Sequence, residues 1–137
     1  KSSDYRVVPT MLSQGLQGKQ LTVHDKGNQT RTFCYITDAI AGFFKVMING
    51  KDGEVYNIGN DGEEINMLAL AETIAQGVFN GNVQVKLINY PDNYPQDEPR
   101  RRCPDLKKAK RELKYEPKVS LKPGLQRACL WLRDNLS

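Results

Sequence analysis

Leu21-Thr22-Val23-His24-Asp25-Lys26-Gly27-Asn28-Gln29-Thr30-Arg31-Thr32-Phe33-Cys34-Tyr35-Ile36-Thr37-Asp38 decides how the rest of the chain is read. Two short apolar runs, Leu21–Val23 and Phe33–Ile36, flank a polar turn at Gly27 and Asn28, which predicts two strands in a hairpin-like arrangement. Such a loop offers backbone amides at its tip and the guanidinium of Arg31 at its exit. A planar fork with a permanent charge suits a phosphate or diphosphate better than a lysine does. The competing reading is a surface hairpin with one solvated arginine.

Upstream, Val7, Val8, Met11, Leu12, Gly15 and Leu16 fall at helical spacings; Pro9 fits only a first turn, so a helix is expected from near Val8 to Gly18. Downstream, Thr37 is expected to cap a helix from Asp38 to about Ile48. Its apolar residues cover more than one face, which predicts burial against more than one layer. Val55–Ile58 reads as a strand, Asn66 as the cap of a helix from Met67 to about Phe79, and Val83–Ile88 as a half-buried strand. Four prolines between Asn89 and Pro104 exclude helix or central strand there. Asp105 is expected to cap a helix to about Lys114, and Ser120 to open the last one, with Leu121, Leu125, Ala128, Cys129, Leu132 and Leu136 as its buried stripe. The order is that of a mixed α/β fold.

A chain of 137 residues with 39% hydrophobic and 26% charged residues is expected to form one globular domain, neither disordered nor membrane-embedded. A net charge of +4 suits an anionic partner without choosing among a phosphate ligand, nucleic acid and none. Three distant cysteines and one histidine give no metal-ligand spacing, which points to a reduced, cytoplasmic protein. The longest apolar stretch, Ala39–Ile48, is interrupted by Lys45 and is too short to span a bilayer. The Arg100–Arg111 region is basic, but acids are interspersed through it and no aromatic stacking platform accompanies it, so nucleic acid is not expected as a partner. Gly-x-Gly-x-x-Gly, the P-loop and Tyr-x-x-x-Lys are all missing, so no catalytic group is assigned.

Four motifs occur in order. They are Gly27-x-Gln29-Thr30-Arg31-x-Phe33-x-Tyr35-Ile36-x-Asp38; Tyr56-Asn57-Ile58-Gly59-Asn60; Arg101-Arg102-Cys103-Pro104-Asp105-Leu106-x-Lys108-Ala109-Lys110; and Tyr115-Glu116-Pro117-Lys118-Val119-Ser120-Leu121-x-x-Gly124-Leu125. The series resembles the carboxy-terminal part of the extended short-chain dehydrogenase/reductases, the NAD-dependent nucleotide-sugar epimerases, dehydratases and decarboxylases. UDP-glucuronate decarboxylases and dTDP-glucose 4,6-dehydratases are the nearest types. The resemblance implies a mixed α/β substrate domain over residues 1–137, without the amino-terminal Rossmann half, that binds the nucleotide-diphosphate part of a UDP- or dTDP-sugar.

On that resemblance, Val7, Val8, Pro9, Thr10 and Met11 line the nucleotide site, and His24, Asp25 and Lys26 run along the base and ribose. Arg31 matches the arginine gripping the diphosphate or ribose, Arg102 the second phosphate arginine, and Asn66 a side chain near the phosphates in some members. Asp38 and Asn57 are read as structural. NAD belongs to the complete enzymes and is not expected on this chain, because the family's dinucleotide loop and Tyr-x-x-x-Lys pair lie upstream of everything here. In the family the strand matching Val55–Ile58 joins the cofactor domain's sheet and the helix matching Asp38–Ile48 covers it. Exposed apolar surface, an unpaired edge and homo-oligomerisation are therefore expected. A non-catalytic nucleotide-sugar-binding or assembly module of the same fold is the alternative.

Overall fold

The computed structural model describes residues 6–91 and 99–135. In chain order the elements are α1 (Val7–Leu16), β1 (Leu21–His24), β2 (Thr30–Arg31), α2 (Ile36–Asn49), β3 (Ile65–Asn66), α3 (Met67–Gly77), β4 (Val85–Ile88), β5 (Arg101–Arg102), α4 (Lys107–Leu113) and α5 (Leu121–Asn135). No helix among the described residues is long and apolar enough to cross a membrane. The residues gather into two compact units, one drawn from Lys1–Gln29, Asn66–Arg100 and Lys122–Ser137, the other from Thr30–Ile65 and Arg101–Leu121.

The first unit is built on a parallel pair, β1 with β4, in the register Leu21↔Val85 to His24↔Ile88. A parallel pair needs a crossover, and α3 lies on that connection. Leu21 and Val23 point inward with Met11, Leu12, Leu70, Ala71, Ile74 and Ala75, while Thr22 and His24 take the other face. Gln14 fastens α1 to the strand: its Nε2 donates to Thr22 Oγ1 at 2.8 Å and its Oε1 accepts from the Thr22 amide at 3.0 Å. From α5, Leu125 and Cys129 are buried, Ala128 and Leu132 half-buried; Leu136 lies outside the described residues. The strand expected at Val83–Ile88 starts at Val85, and its two central side chains are exposed rather than alternating.

The second unit has its core at Leu106, Ala109, Leu113 and Tyr115, with Val46, Tyr56 and Ile58 packed against them. Gly42 permits this. A Cβ there would stand 2.4 Å from Ile58 Cγ2 and 2.9 Å from Tyr115 Cε2, so α2 approaches on its glycine. Lys45 Nζ donates to the carbonyls of Leu113 (3.2 Å) and Lys114 (2.9 Å), satisfying the carboxyl end of α4 where Lys114 turns left-handed at φ 51°. Asp38, 8% exposed, accepts the amides of Lys118 and Val119 at 3.0 and 2.8 Å; its role is structural, as the sequence indicates.

Several expectations are corrected. Leu21–Ile36 is not a hairpin: β1 pairs with β4 and β2 with β5, both in parallel, and Phe33–Tyr35 is not a strand. The turn between β1 and β2 is spent on α3 instead. The Gly27 carbonyl accepts the amides of Met67 (2.9 Å) and Leu68 (3.3 Å), and the Gln29 carbonyl that of Met67 (3.1 Å). Thr37 does not cap α2, which begins at Ile36 after an extended Tyr35 with no side-chain cap. Val55–Ile58 forms no strand among the described residues, because no neighbouring backbone meets it, and Val55 is 80% exposed. Nor is α2 buried on several faces; only Asp38 and Gly42 are. Asp105 accepts the Lys107 amide at 2.8 Å, but the cap position itself falls to Leu106.

Candidate functional site

In the second unit, β2 and β5 form a short parallel ladder in which Thr30 stands opposite Arg101 and Arg31 opposite Arg102. Successive strand residues face opposite sides, so register partners share a face. The contacts of Thr30 and Arg101 bear this out. Thr30 Oγ1 donates to Glu64 Oε1 at 2.6 Å, and Arg101 Nε and Nη2 donate to the two oxygens of the same carboxylate at 2.8 Å each. This fork, chiefly the Arg101 guanidinium and then Thr30, holds the Glu64 carboxyl below its ordinary range. Arg31 and Arg102 therefore occupy the opposite face, side by side. Arg31 is half-buried, with Nη1 donating to the Thr30 carbonyl at 2.8 Å, and Arg102 is exposed. Adjacent strands run about 4.8 Å apart, so the backbones of Arg31 and Arg102 lie side by side in the ladder.

The remaining sequence-predicted site residues lie in the first unit. His24 ends β1 on the solvent-facing side, and its ring stacks on Tyr90 with centroids 5.2 Å apart and planes at 20°. Tyr90 follows two residues after Ile88, the register partner of His24, and the ladder continues between them through the Asp25 amide donating to the Ile88 carbonyl at 2.7 Å. Tyr90 Oη accepts from Gln29 Nε2 at 2.7 Å. Sequence reasoning missed Tyr90, which sits in a proline-rich run; the available signal was its position just past a strand.

Asp25, at φ 53°, and Lys26 form the exposed turn after His24. Val7, Val8, Pro9 and Thr10 are half-buried at the start of α1, whereas Met11 is 2% exposed and belongs to the core. Asn66 caps α3, its Oδ1 accepting the Ala69 amide at 2.8 Å. The structure thus pairs Arg31 with Arg102 in one unit and keeps His24, Asp25, Lys26, Asn66 and Val7–Met11 in the other. The acids Asp97 and Glu98, and Pro95, lie outside the described residues.

A cavity of about 410 Å³ opens in the second unit beside Asn60, Asp61, Lys110, Glu116 and Ser120, and does not include the arginine pair. Its charges are internally engaged: Lys110 Nζ donates to both Asp61 oxygens at 2.8 and 2.7 Å, and Asn60 Oδ1 accepts the Gly62 amide.

Residues 1–59 match the profile of the NAD dependent epimerase/dehydratase family. UDP-glucuronic acid decarboxylase 3 of Arabidopsis thaliana is 44% identical over 122 residues, covering 89% of this chain and 34% of that protein. The dTDP-D-glucose 4,6-dehydratase of Bos taurus is 33% identical over 132 residues, 95% of this chain and 37% of that protein. Among solved structures, the UDP-glucuronic acid 4-epimerase of Bacillus cereus, in complex with UDP-glucuronic acid and NAD, superposes with a TM-score of 0.82. It is 29% identical and covers 97% of this chain and 41% of that one. The chain spans about a third of the length of the curated relatives it matches.

Proposed function

We propose, from the premise that this chain belongs with the NAD-dependent epimerase/dehydratase family over about a third of its relatives' length, that Arg31 and Arg102 hold the diphosphate of a nucleotide-sugar. The observation that supports the proposal is the β2–β5 register, in which Arg31 stands opposite Arg102, next to Thr30 and Arg101, whose side chains share Glu64. Two charge-assisted forks on adjacent phosphates bind and orient together, and a fork is stiffer than an ammonium. A uridine diphosphate sugar is favoured over other bases because UDP-glucuronic acid decarboxylases recur among the relatives. In such a protein the nucleotide end supplies binding energy that positions the sugar carbon to be altered.

Homologues bind NAD, but the described residues do not fit a dinucleotide. No described strand runs through a glycine turn into a helix: β1 turns into β2, and β3 enters α3 directly at Asn66. No residue here is assigned to NAD and no hydride step is derived. The role proposed for this chain is substrate binding in a protein that epimerises, dehydrates or decarboxylates a nucleotide-sugar.

Calorimetric titration of the chain with UDP, UMP and uridine tests the reading. UDP should bind, UMP should bind about tenfold or more weakly for the loss of one charge-assisted fork, and uridine weaker still. Equal affinity for UDP and uridine would overturn the proposal.

A further inference from the structure

The chain holds two Asn-Gly pairs, Asn49-Gly50 and Asn80-Gly81, and two Asp-Gly pairs, Asp52-Gly53 and Asp61-Gly62. Such pairs share a chemistry of their own. The backbone nitrogen of the glycine, unshielded by any Cβ, attacks Cγ of the preceding side chain. A five-membered succinimide forms, with loss of ammonia from asparagine or of water from aspartate. Water then adds at either ring carbonyl. One opening gives aspartate, and the other runs the backbone through Cβ as isoaspartate. The attack needs a glycine amide not already held in a hydrogen bond and a side chain free to swing onto it.

Three of the four pairs are restrained. The Gly50 amide donates to the Val46 carbonyl at 2.8 Å, and the Gly81 amide to the Ala75 carbonyl at 2.9 Å. The Gly62 amide donates to Asn60 Oδ1 at 2.8 Å, while Lys110 Nζ holds both oxygens of Asp61. Asp52-Gly53 differs. It is the tip of a turn closed by the Glu54 amide on the Lys51 carbonyl at 3.2 Å, with Gly53 at φ 76°. All four residues of the turn are exposed, and none is apolar, the composition of a solvent-facing tip. Among the described residues nothing accepts the Gly53 amide and nothing pairs with the Asp52 carboxylate. Beyond its chain neighbours, no atom lies within 4 Å of where a Cβ on Gly53 would stand.

We infer that Asp52-Gly53 is the isoaspartate-forming site of the folded chain, the pair of the four that folding leaves reactive. The step is self-contained. A bond forms between the Gly53 nitrogen and Asp52 Cγ, a Cγ–O bond breaks, and the amide hydrogen leaves with the departing oxygen as water. Solvent water reopens the ring, so the product keeps the original mass and no co-reactant is consumed. The product adds one atom, Cβ, to the backbone path and carries a new α-carboxylate. Both ends of the turn are tied, the Lys51 amide donating to Tyr56 Oη at 3.3 Å and Lys108 Nζ to Glu54 Oε2 at 2.5 Å, so the extra atom is taken up at the tip. The inference is independent of the proposed nucleotide site, since neither Arg31 nor Arg102 lies in this turn.

The wild-type chain and its Asp52→Asn variant, each folded and unfolded in guanidinium chloride, are aged at neutral pH and body temperature. Peptide mapping with electron-transfer fragmentation, which separates isoaspartate from aspartate, reads each position. The variant places the same leaving group at positions 49, 52 and 80, so the surroundings alone set the difference. In the folded variant, position 52 should react at least about fivefold faster than Asn49 and Asn80, whose glycine amides must first break a hydrogen bond. Unfolding should bring the three rates together. In the wild type, position 52 should form isoaspartate at similar rates folded and unfolded, whereas folding should slow Asp61 at least about fivefold. A position 52 that reacts no faster than 49 or 80 in the folded variant, or that folding slows as much as Asp61 in the wild type, would overturn the inference.

Discussion

The carboxylate of Asp38 and the amide of Val119 are joined by a 2.8 Å hydrogen bond across 81 positions of sequence, and the same oxygen takes the Lys118 amide at 3.0 Å. One buried side chain in the first turn of α2 thus fixes the segment between α4 and α5. Asp38→Ala would leave two amides in a site with little water, and an unsatisfied buried donor costs about 1–3 kcal/mol. The urea midpoint should fall accordingly, and Asp38→Asn, which keeps one acceptor oxygen, should fall less. Equal midpoints for wild type and alanine variant would show that the segment is held by other contacts.

Tyr115 makes a second long-range tie. Its hydroxyl donates to the Gly59 carbonyl at 2.8 Å and lies 3.6 Å from Cys34 Sγ. Burial, then the contact with Cys34, pushes the phenol well above its ordinary value of 10.0. A folded-state value raised above the unfolded one contributes stability that is complete below about pH 10 and lost as pH rises through the folded value. Tyr115→Phe should cost about 1 kcal/mol at pH 8 for the lost hydrogen bonds. Denaturant midpoints at pH 8 and pH 10.5 should show the gap between wild type and Tyr115→Phe narrowing at the higher pH; a constant gap would contradict the shift.

The parts of this fold legible in sequence are those fixed by near neighbours. Asn66 announces α3 because its cap bond reaches only three residues ahead. The apolar stripe of α1 closes over Met11 and Leu12 for the same local reason. The pairing of β1 with β4 was not legible, since the partner lies 64 positions away and a turn containing Gly27 and Asn28 reads locally as a hairpin. Val55–Ile58 has strand composition, but a strand exists only where another backbone meets it. On α2 the apolar residues read as covering more than one face and predicted burial on several sides; Gly42, against Ile58 and Tyr115, was the residue that decides which side packs. Of the candidate site, the residue types at 31 and 102 were legible from motif resemblance. Their direct opposition, and the diversion of Arg101 to Glu64, required the ladder.

Glu112 offers a check on the charged surface of α4. Arg111 first, then the Tyr56 hydroxyl and Lys51, hold its carboxyl at about 2, below the ordinary 4.5. A depressed value means that any stabilisation is in place above pH 4.5 and is lost as pH falls from there through about 2. Carboxyl NMR titration of Glu112 should give a midpoint near 2, and Arg111→Ala should move it back toward the ordinary range. A wild-type midpoint near 4.5 would mean that these contacts do not persist in solution.

The proposed diphosphate grip makes a sharper demand, because it requires Arg31 and Arg102 to act on one ligand. Each charge-assisted fork is worth about 1.5–3 kcal/mol, so Arg31→Ala and Arg102→Ala should each weaken UDP roughly 10–150-fold. Two residues holding the same bound group do not act independently, and the double variant should lose less than the product of the single losses. Arg31→Lys keeps the charge without the planar fork and should recover only part of the loss. Arg101→Ala serves as the contrast: it breaks an exposed pair with Glu64 on the far face of β5 and should change UDP affinity by no more than about threefold. An Arg101→Ala effect as large as that of Arg102→Ala would mean that the strand presents the other face to the ligand, and the assignment of the two arginines would be reversed.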